Sequence, residues 1–263
     1  MTGIWGILNV TPDSFSDGGR YRDPAVAVAH ARELRAQGAF VIDVGGESTR
    51  PGAERISMAE EQARVIPVIE ALSAEGIPVS IDTLNAATAS VAVRAGARIV
   101  NDVSGGLADP DMLAAVAESG ADVALGHWRG PSADMYAHAT YARVGREVAG
   151  ELRERMAAAA AAGIAPARVI VDPGVGFAKT AEQNWELLRD LDDVVALGSR
   201  VLVGTSRKRF LTTAIGDDAT EEQKDAATAV TSALAARAGV WAVRVHNVRA
   251  TRDALAVLGA WRG

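Results

Sequence analysis

Eight polar side chains occupy the same kind of place in this sequence. Asn9, Asp43, Asp82, Asn101, His127, Asp172, Ser206 and His246 each stand at or just past the C-terminal end of a short apolar run, in eight different runs. A carboxylate or amide at the end of a buried strand costs free energy unless something pairs with it. Taken singly, Asp43 or Ser206 reads as a helix cap or a loop anchor. Eight such residues at equivalent places describe one rim.

The rim divides by charge. "GTSRKRF" brings Ser206, Arg207, Lys208 and Arg209 to the end of the seventh run, and "RVH" sets Arg244 and His246 on one face of the eighth by strand alternation. This cationic sector suits an anionic, phosphorylated substrate. Asp82, Asn101 and Asp172 form an acceptor-rich sector. A carboxylate in a dry pocket matches a ring edge with two adjacent N–H donors, as in a 2-amino-4-oxo pyrimidine, because two charge-assisted hydrogen bonds form at once. A hard cation such as Mg²⁺ fits between Asn9 and substrate phosphates. Other metal chemistry is disfavoured: there is no cysteine, and His30, His127, His138 and His246 are too scattered for a zinc cluster. "PGVGFAKT" ends like a phosphate loop, but Pro173 and Ala178 stand where that loop needs glycine.

The runs that carry these residues are "IWGILNV", "FVIDVGG", "PVSIDT", "RIVNDVSG", "DVALGHW", "RVIVDPG", "RVLVGTS" and "WAVRVHN", each followed by a segment of helical periodicity or Ala-rich composition. Continuous apolar runs separated by helices predict a parallel α/β sheet. From Asn9 to His246 is 237 residues in seven steps. That is about 34 per step, the size of a βα unit, and the expected fold is a (β/α)8 TIM barrel. Helix punctuation agrees: Asp23 as N-cap before Pro24, Gly38 after the first helix, and Gly163 followed by Pro166 after "MAAAAAA". No linker composition divides the chain, so residues 1–263 are expected to form one domain. The helix around "DAATAVTSALAARAG" is small or apolar on nearly every side, which predicts a subunit interface, with a helix that merely tolerates alanine as the alternative. A formal net charge of -6 disfavours nucleic-acid and anionic-membrane partners. No signal-like or membrane-spanning stretch is present, and a cytoplasmic location is expected.

The stretches "NVTPDSFSDGG", "DVGGESTRPGAE", "SIDT", "VNDVSGG", "DPGVGFAK", "GTSRKRF" and "RVHNV", in order along the whole chain, resemble the dihydropteroate synthases of the pterin-binding barrel superfamily. The resemblance implies a homodimeric barrel that condenses 6-hydroxymethyl-7,8-dihydropterin diphosphate with 4-aminobenzoate, yielding 7,8-dihydropteroate and pyrophosphate. Sulfonamides would mimic the aminobenzoate. Carried over by position, Asn9 would bind Mg²⁺ on the diphosphate, and Asp82, Asn101, Asp172 and Lys208 would hold the pterin ring. Arg244 would stack on that ring and, with His246, face the leaving pyrophosphate. Thr49, Arg50 and Pro51 would belong to a second substrate loop. The segment from Thr11 to Gly19 would be a lid, with Phe15 packing on aminobenzoate and Asp17 near the reacting methylene.

Two positions depart from the family pattern. Gly126 replaces a methionine that many members place against the pterin, which leaves that side of the pocket looser or differently filled. Arg209 stands where many have a serine that helps bind the aminobenzoate carboxylate; the arginine could take over that contact or point to solvent. Two other functions share the acceptor sector: a pterin-dependent methyltransferase domain, disfavoured by the two lid signatures, and a pterin-binding paralogue without condensation activity.

Overall fold

The computed structural model describes residues 2–10, 24–47, 56–130 and 139–263. Within them, β1 (Gly3–Asn9), β2 (Val41–Gly45), β3 (Val79–Asp82), β4 (Ile99–Asp102), β5 (Asp122–Gly126), β6 (Val169–Asp172), β7 (Arg200–Val203) and β8 (Ala242–Val245) pair in parallel in chain order. β8 returns to β1 and closes the barrel. Each expected run supplies one strand.

Parallel strands in a barrel are buried on both faces, and the register sorts the two sets. Trp5, Val41, Ile99, Ala124, Ile170, Leu202 and Ala242 pack together inside the barrel as an apolar plug. Two residues further along their strands, and so on the same inner face, stand Asp43, Asn101, Gly126, Asp172, Gly204 and Arg244. Asp82 joins this level through its register with Gly45 and Asn101. An apolar layer with a polar one above it is therefore written into the alternation of the strands. The intervening residues, including Ile42, Val44, Ile81, Val100, Val123, Leu125, Val171, Val243 and Val245, face outward into the larger core beneath the helices.

The helices are α1 (Pro24–Gln37), α2 (Met58–Ala74), α3 (Ala86–Arg94), α4 (Met112–Ser119), α5 (Val144–Ala161), α6 (Ala181–Arg189), α7 (Leu191–Val195), α8 (Thr212–Ile215), α9 (Glu221–Arg237) and α10 (Val248–Arg262). α1 and α5 end ahead of Gly38 and Gly163, as expected; Asp23 lies outside the described residues. α6 and α9 each open with a reciprocal capping box, Thr180 with Gln183 and Thr220 with Gln223, which satisfies backbone donors that the helix itself leaves unpaired.

α9 buries Thr228, Thr231, Ser232 and Ala235 against the barrel. On its other side Val230 and Leu234 are more than half exposed, and α10, packed beside it, exposes Val257 and Trp261. No helix among the described residues is long and apolar enough to cross a membrane.

Candidate active site

The polar layer above the plug is tied together by one guanidinium. Arg244 donates from Nε to Asp43 Oδ2 at 2.5 Å and from a terminal nitrogen to Asp82 Oδ2 at 2.7 Å. Asn101 Nδ2 donates to the same Asp43 oxygen at 3.1 Å. Asp43 is fully buried, and its Oδ1 has no hydrogen-bond partner among the described residues. Asp43 is thus neither a helix cap nor a loop anchor: it orients Arg244 and Asn101 within the polar layer. Burial opposes the charge on Arg244, yet Asp43 and Asp82 raise its pKa further above the ordinary value. Burial pushes Asp82 up to about 7, against the pull of Arg244.

Across the mouth, Asp172 Oδ1 accepts the Gly174 N–H at 2.7 Å. Burial raises the Asp172 pKa, opposed first by Lys208 and then by the Gly174 bond. Lys208 hydrogen-bonds to the Val175 carbonyl, and its ammonium lies 4.8 Å from the centre of the Phe177 ring. Burial lowers Lys208 to about 8, with Asp172 acting the other way. His246 is set by Ser206, whose Oγ lies 2.8 Å from Nδ1 and accepts the His246 backbone N–H at 3.0 Å. Ser206 is more than a loop anchor: it fixes an imidazole at the rim.

Neighbouring residues separate inward from outward. Arg207, expected in the cationic sector, turns away: it makes a two-point pair with Asp225 and a third contact with Glu221, both on α9. Its positive φ of 55° swings it out while Lys208 goes in. Arg209 is exposed. Asn9 ends β1, half-buried, in register with Gly45. Phe15, Asp17, Thr49, Arg50, Pro51 and His138 lie outside the described residues.

The place of Gly126 is filled by backbone. A Cβ built there would stand 2.4 Å from the Val103 carbonyl oxygen and 2.6 Å from the Val103 Cα, closer than real Cβ contacts come. The loop from β4 to α4 therefore occupies the volume that a side chain at 126 would take. That side of the cup is differently filled, not looser.

Two supporting clusters were not evident from the sequence. Glu61 of α2, almost fully buried, accepts hydrogen bonds from Thr83 Oγ1, Asn85 Nδ2 and Thr88 Oγ1, each at 2.7 Å, and so pins the loop just after Asp82. Behind Asp172, Lys179 contacts His127, which contacts Glu151, which binds Arg129. Strand parity could have flagged Asp43. Nothing local marks Glu61 or Lys179, because their partners come from other elements.

The site is thus a cup whose acceptor floor is fixed by Arg244, with Lys208 and the His246 imidazole beside it and an apolar seal beneath. The family profile described as "Pterin binding enzyme" matches residues 5–246. A dihydropteroate synthase of Mycobacterium leprae is 52% identical over 98% of this chain and 93% of its own. The chain belongs to the dihydropteroate synthase family. Among solved structures of that family, the Xanthomonas albilineans enzyme with 4-aminobenzoic acid superposes with a TM-score of 0.92 at 44% identity, covering 100% of this chain and 93% of that one. The same organism's synthase in complex with 7,8-dihydropteroate gives a TM-score of 0.89 at 41% identity, with 100% and 94% covered.

Proposed function

We propose that this chain condenses 6-hydroxymethyl-7,8-dihydropterin diphosphate with 4-aminobenzoate, yielding 7,8-dihydropteroate and pyrophosphate. The observation that carries this reading is the set of buried Asp82 and Asn101 with half-buried Asp172, facing Lys208, Arg244 and His246 above a sealed plug. Asp172 and Asn101 meet the donor edge of the pterin, and Lys208 meets its acceptors. Arg244 and His246 stabilise the negative charge that leaves with pyrophosphate. Departure of that group from a methylene conjugated to the electron-rich ring leaves a delocalised cation, which the weakly basic aromatic amine captures. No strong base is required; the site must hold charge and exclude water.

The segment from Thr11 to Gly19 is assigned as the cover, with Phe15 against aminobenzoate and Asp17 near the cationic carbon. Thr49, Arg50 and Pro51 are assigned to the aminobenzoate side. The described residues contain no group of three His, Asp or Glu side chains able to hold a metal. A Mg²⁺ that arrives on the diphosphate would take the Asn9 amide oxygen, half-buried at the end of β1, as the protein's contribution. Bound there, the ion would offset charge on the leaving group.

The paired exposed residues Val230 with Leu234 and Val257 with Trp261 support a homodimer through α9 and α10. Substrates of this charge do not cross membranes unaided, which supports a cytoplasmic location. The deciding experiment is pyrophosphate release. Release that requires both the pterin diphosphate and 4-aminobenzoate is expected; pterin binding without release would identify a carrier, and methyl transfer would identify the other branch of the superfamily.

A further inference from the structure

We propose that Lys179, buried behind the pterin floor, is a positioning residue for this condensation, holding the two backbone carbonyls that set Asp172 and Lys208. Only 1% of Lys179 is exposed. Its Nζ lies 3.0 Å from His127 Nδ1, 3.1 Å from the Gly174 carbonyl and 3.0 Å from the Phe177 carbonyl. An ammonium has three N–H donors and no acceptor, so these three partners use it completely. A neutral amine has only two donors, so it could not donate to all three.

The same count fixes the histidine. Because His127 Nδ1 accepts from Lys179, its proton is on Nε2, which donates to Glu151 Oε2 at 3.0 Å. Glu151 in turn binds Arg129, whose guanidinium lies 3.8 Å from the centre of the Tyr141 ring. Burial, and then the Lys179 charge, lower His127 to about 4, which agrees with a neutral ring.

From Lys179 the constraint passes to the floor in two ways. Gly174 gives its carbonyl to Lys179 and its N–H to Asp172, so the segment that orients the carboxylate is held from both sides. Gly174 adopts φ +66°, and a Cβ there would stand 2.2 Å from the His127 carbonyl, so this turn sits directly on the end of β5. Phe177 gives its carbonyl to Lys179 and its ring to Lys208. The backbone bends to allow this: Ala178, immediately before Lys179, has φ +49°, an uncommon conformation for a residue with a side chain. A methionine would fill the same space without desolvating a charge. What the ammonium adds is the fixed position of two carbonyls and a positive charge close to Asp172.

The charge also predicts a pH dependence. Burial lowers Lys179 to about 7, against Asp172; Lys208 and Arg129 act with burial, and Glu151 acts with Asp172. The charged form, present at lower pH, supports Asp172 in its ionised state and grips both carbonyls. As pH rises above about 7 that grip is lost, so pterin affinity should fall.

The inference rests on the assignment of Asp172 and Lys208 to the pterin, and the test separates the two. The parent, Lys179→Met and Asp172→Asn are compared by calorimetry with 6-hydroxymethyl-7,8-dihydropterin diphosphate and by steady-state kinetics from pH 6 to 9. Lys179→Met should raise the pterin Kd and KM roughly tenfold, leave the 4-aminobenzoate KM unchanged, and remove the part of the fall in affinity that begins near pH 7, leaving the part near pH 8 that belongs to Lys208. Should Lys179→Met fail to fold, Lys179→Gln, with two donors and no charge, serves the same comparison. Unchanged pterin affinity in Asp172→Asn would overturn the assignment of the floor itself. Weakened binding in Asp172→Asn beside parental binding and an unaltered pH profile in the Lys179 variant would overturn the role of Lys179. An equal rise in both KM values would reduce Lys179 to general support and overturn it too.

Discussion

Arg244→Met removes the one cation shared by two buried carboxylates, and the cost can be worked from the contacts. Asp43 is fully buried and Asp82 nearly so, and both accept from the guanidinium within 2.7 Å. Truncating one partner of a buried pair costs about 3–5 kcal/mol, because the charge left behind keeps its desolvation penalty. The Arg244 side chain is 18% exposed, and water entering its space relieves part of this. The lower figure, about 3 kcal/mol, is expected, which for a chain of this size is roughly 6–12 °C in Tm. Adding Asp43→Asn removes one stranded charge while keeping an acceptor for Asn101, so the double variant should regain about 1–2 kcal/mol, a coupling expected of residues in contact. Urea and thermal unfolding at pH 7 measure both, and the synthase assay should show turnover lost in the single and double variants alike. A single variant within 1 kcal/mol of the parent, or a double variant with no recovery, would refute the claim that Arg244 neutralises this pair.

Three further expectations follow from contacts described above. Gly126→Ala drives a Cβ into the Val103 backbone and should destabilise the fold by about 1–3 kcal/mol and weaken pterin binding, as overpacking does; a silent substitution in calorimetry and unfolding would show that the loop yields freely. Glu61→Gln turns an acceptor of three hydrogen bonds into a group that presents its own donors to them, at a cost of about 1–3 kcal/mol in urea unfolding; an unchanged midpoint would show that the threonines and Asn85 rearrange without cost. Although burial raises Glu151, hydrogen bonds from His127 and Arg129 bring it down to about 2, below the ordinary 4.5. A depressed carboxylate stabilises above its unfolded pKa and stops doing so as pH falls through its folded one. Glu151→Gln should therefore be less stable at neutral pH, by on the order of 1 kcal/mol for this partly exposed group, with the two stability curves converging between pH 4.5 and 2; parallel curves would exclude the charge as the cause.

The barrel and its rim were legible because parallel strands buried on both faces read as continuous apolar runs, and alternation then fixes which residues face in. That logic placed Asp82, Asn101, Asp172 and Arg244 together. It failed where direction depends on a single backbone angle: in "SRKR" nothing distinguishes Arg207, which leaves for Asp225, from Lys208, which stays. It also failed where function is shared across elements. Asp43 alone looks like a cap, and its role exists only with Arg244, 201 residues away in the chain. Lys179 looks like the tail of a failed phosphate loop until three acceptors from the ends of β5 and β6 surround it. Gly126 reads as a missing side chain, whereas the backbone of another loop has taken its place.

Trp5 and the six apolar residues packed around it stop the barrel from below, so among the described residues nothing can enter the cup through the barrel. A ring resting on Asp172 and Asn101 is then expected to arrive before a neighbour bound nearer the mouth and to leave after it. The two substrates should therefore queue, pterin diphosphate ahead of 4-aminobenzoate. An aminobenzoate mimic bound nearer the mouth should hold the pterin behind it, and extra pterin substrate should deepen its inhibition instead of relieving it.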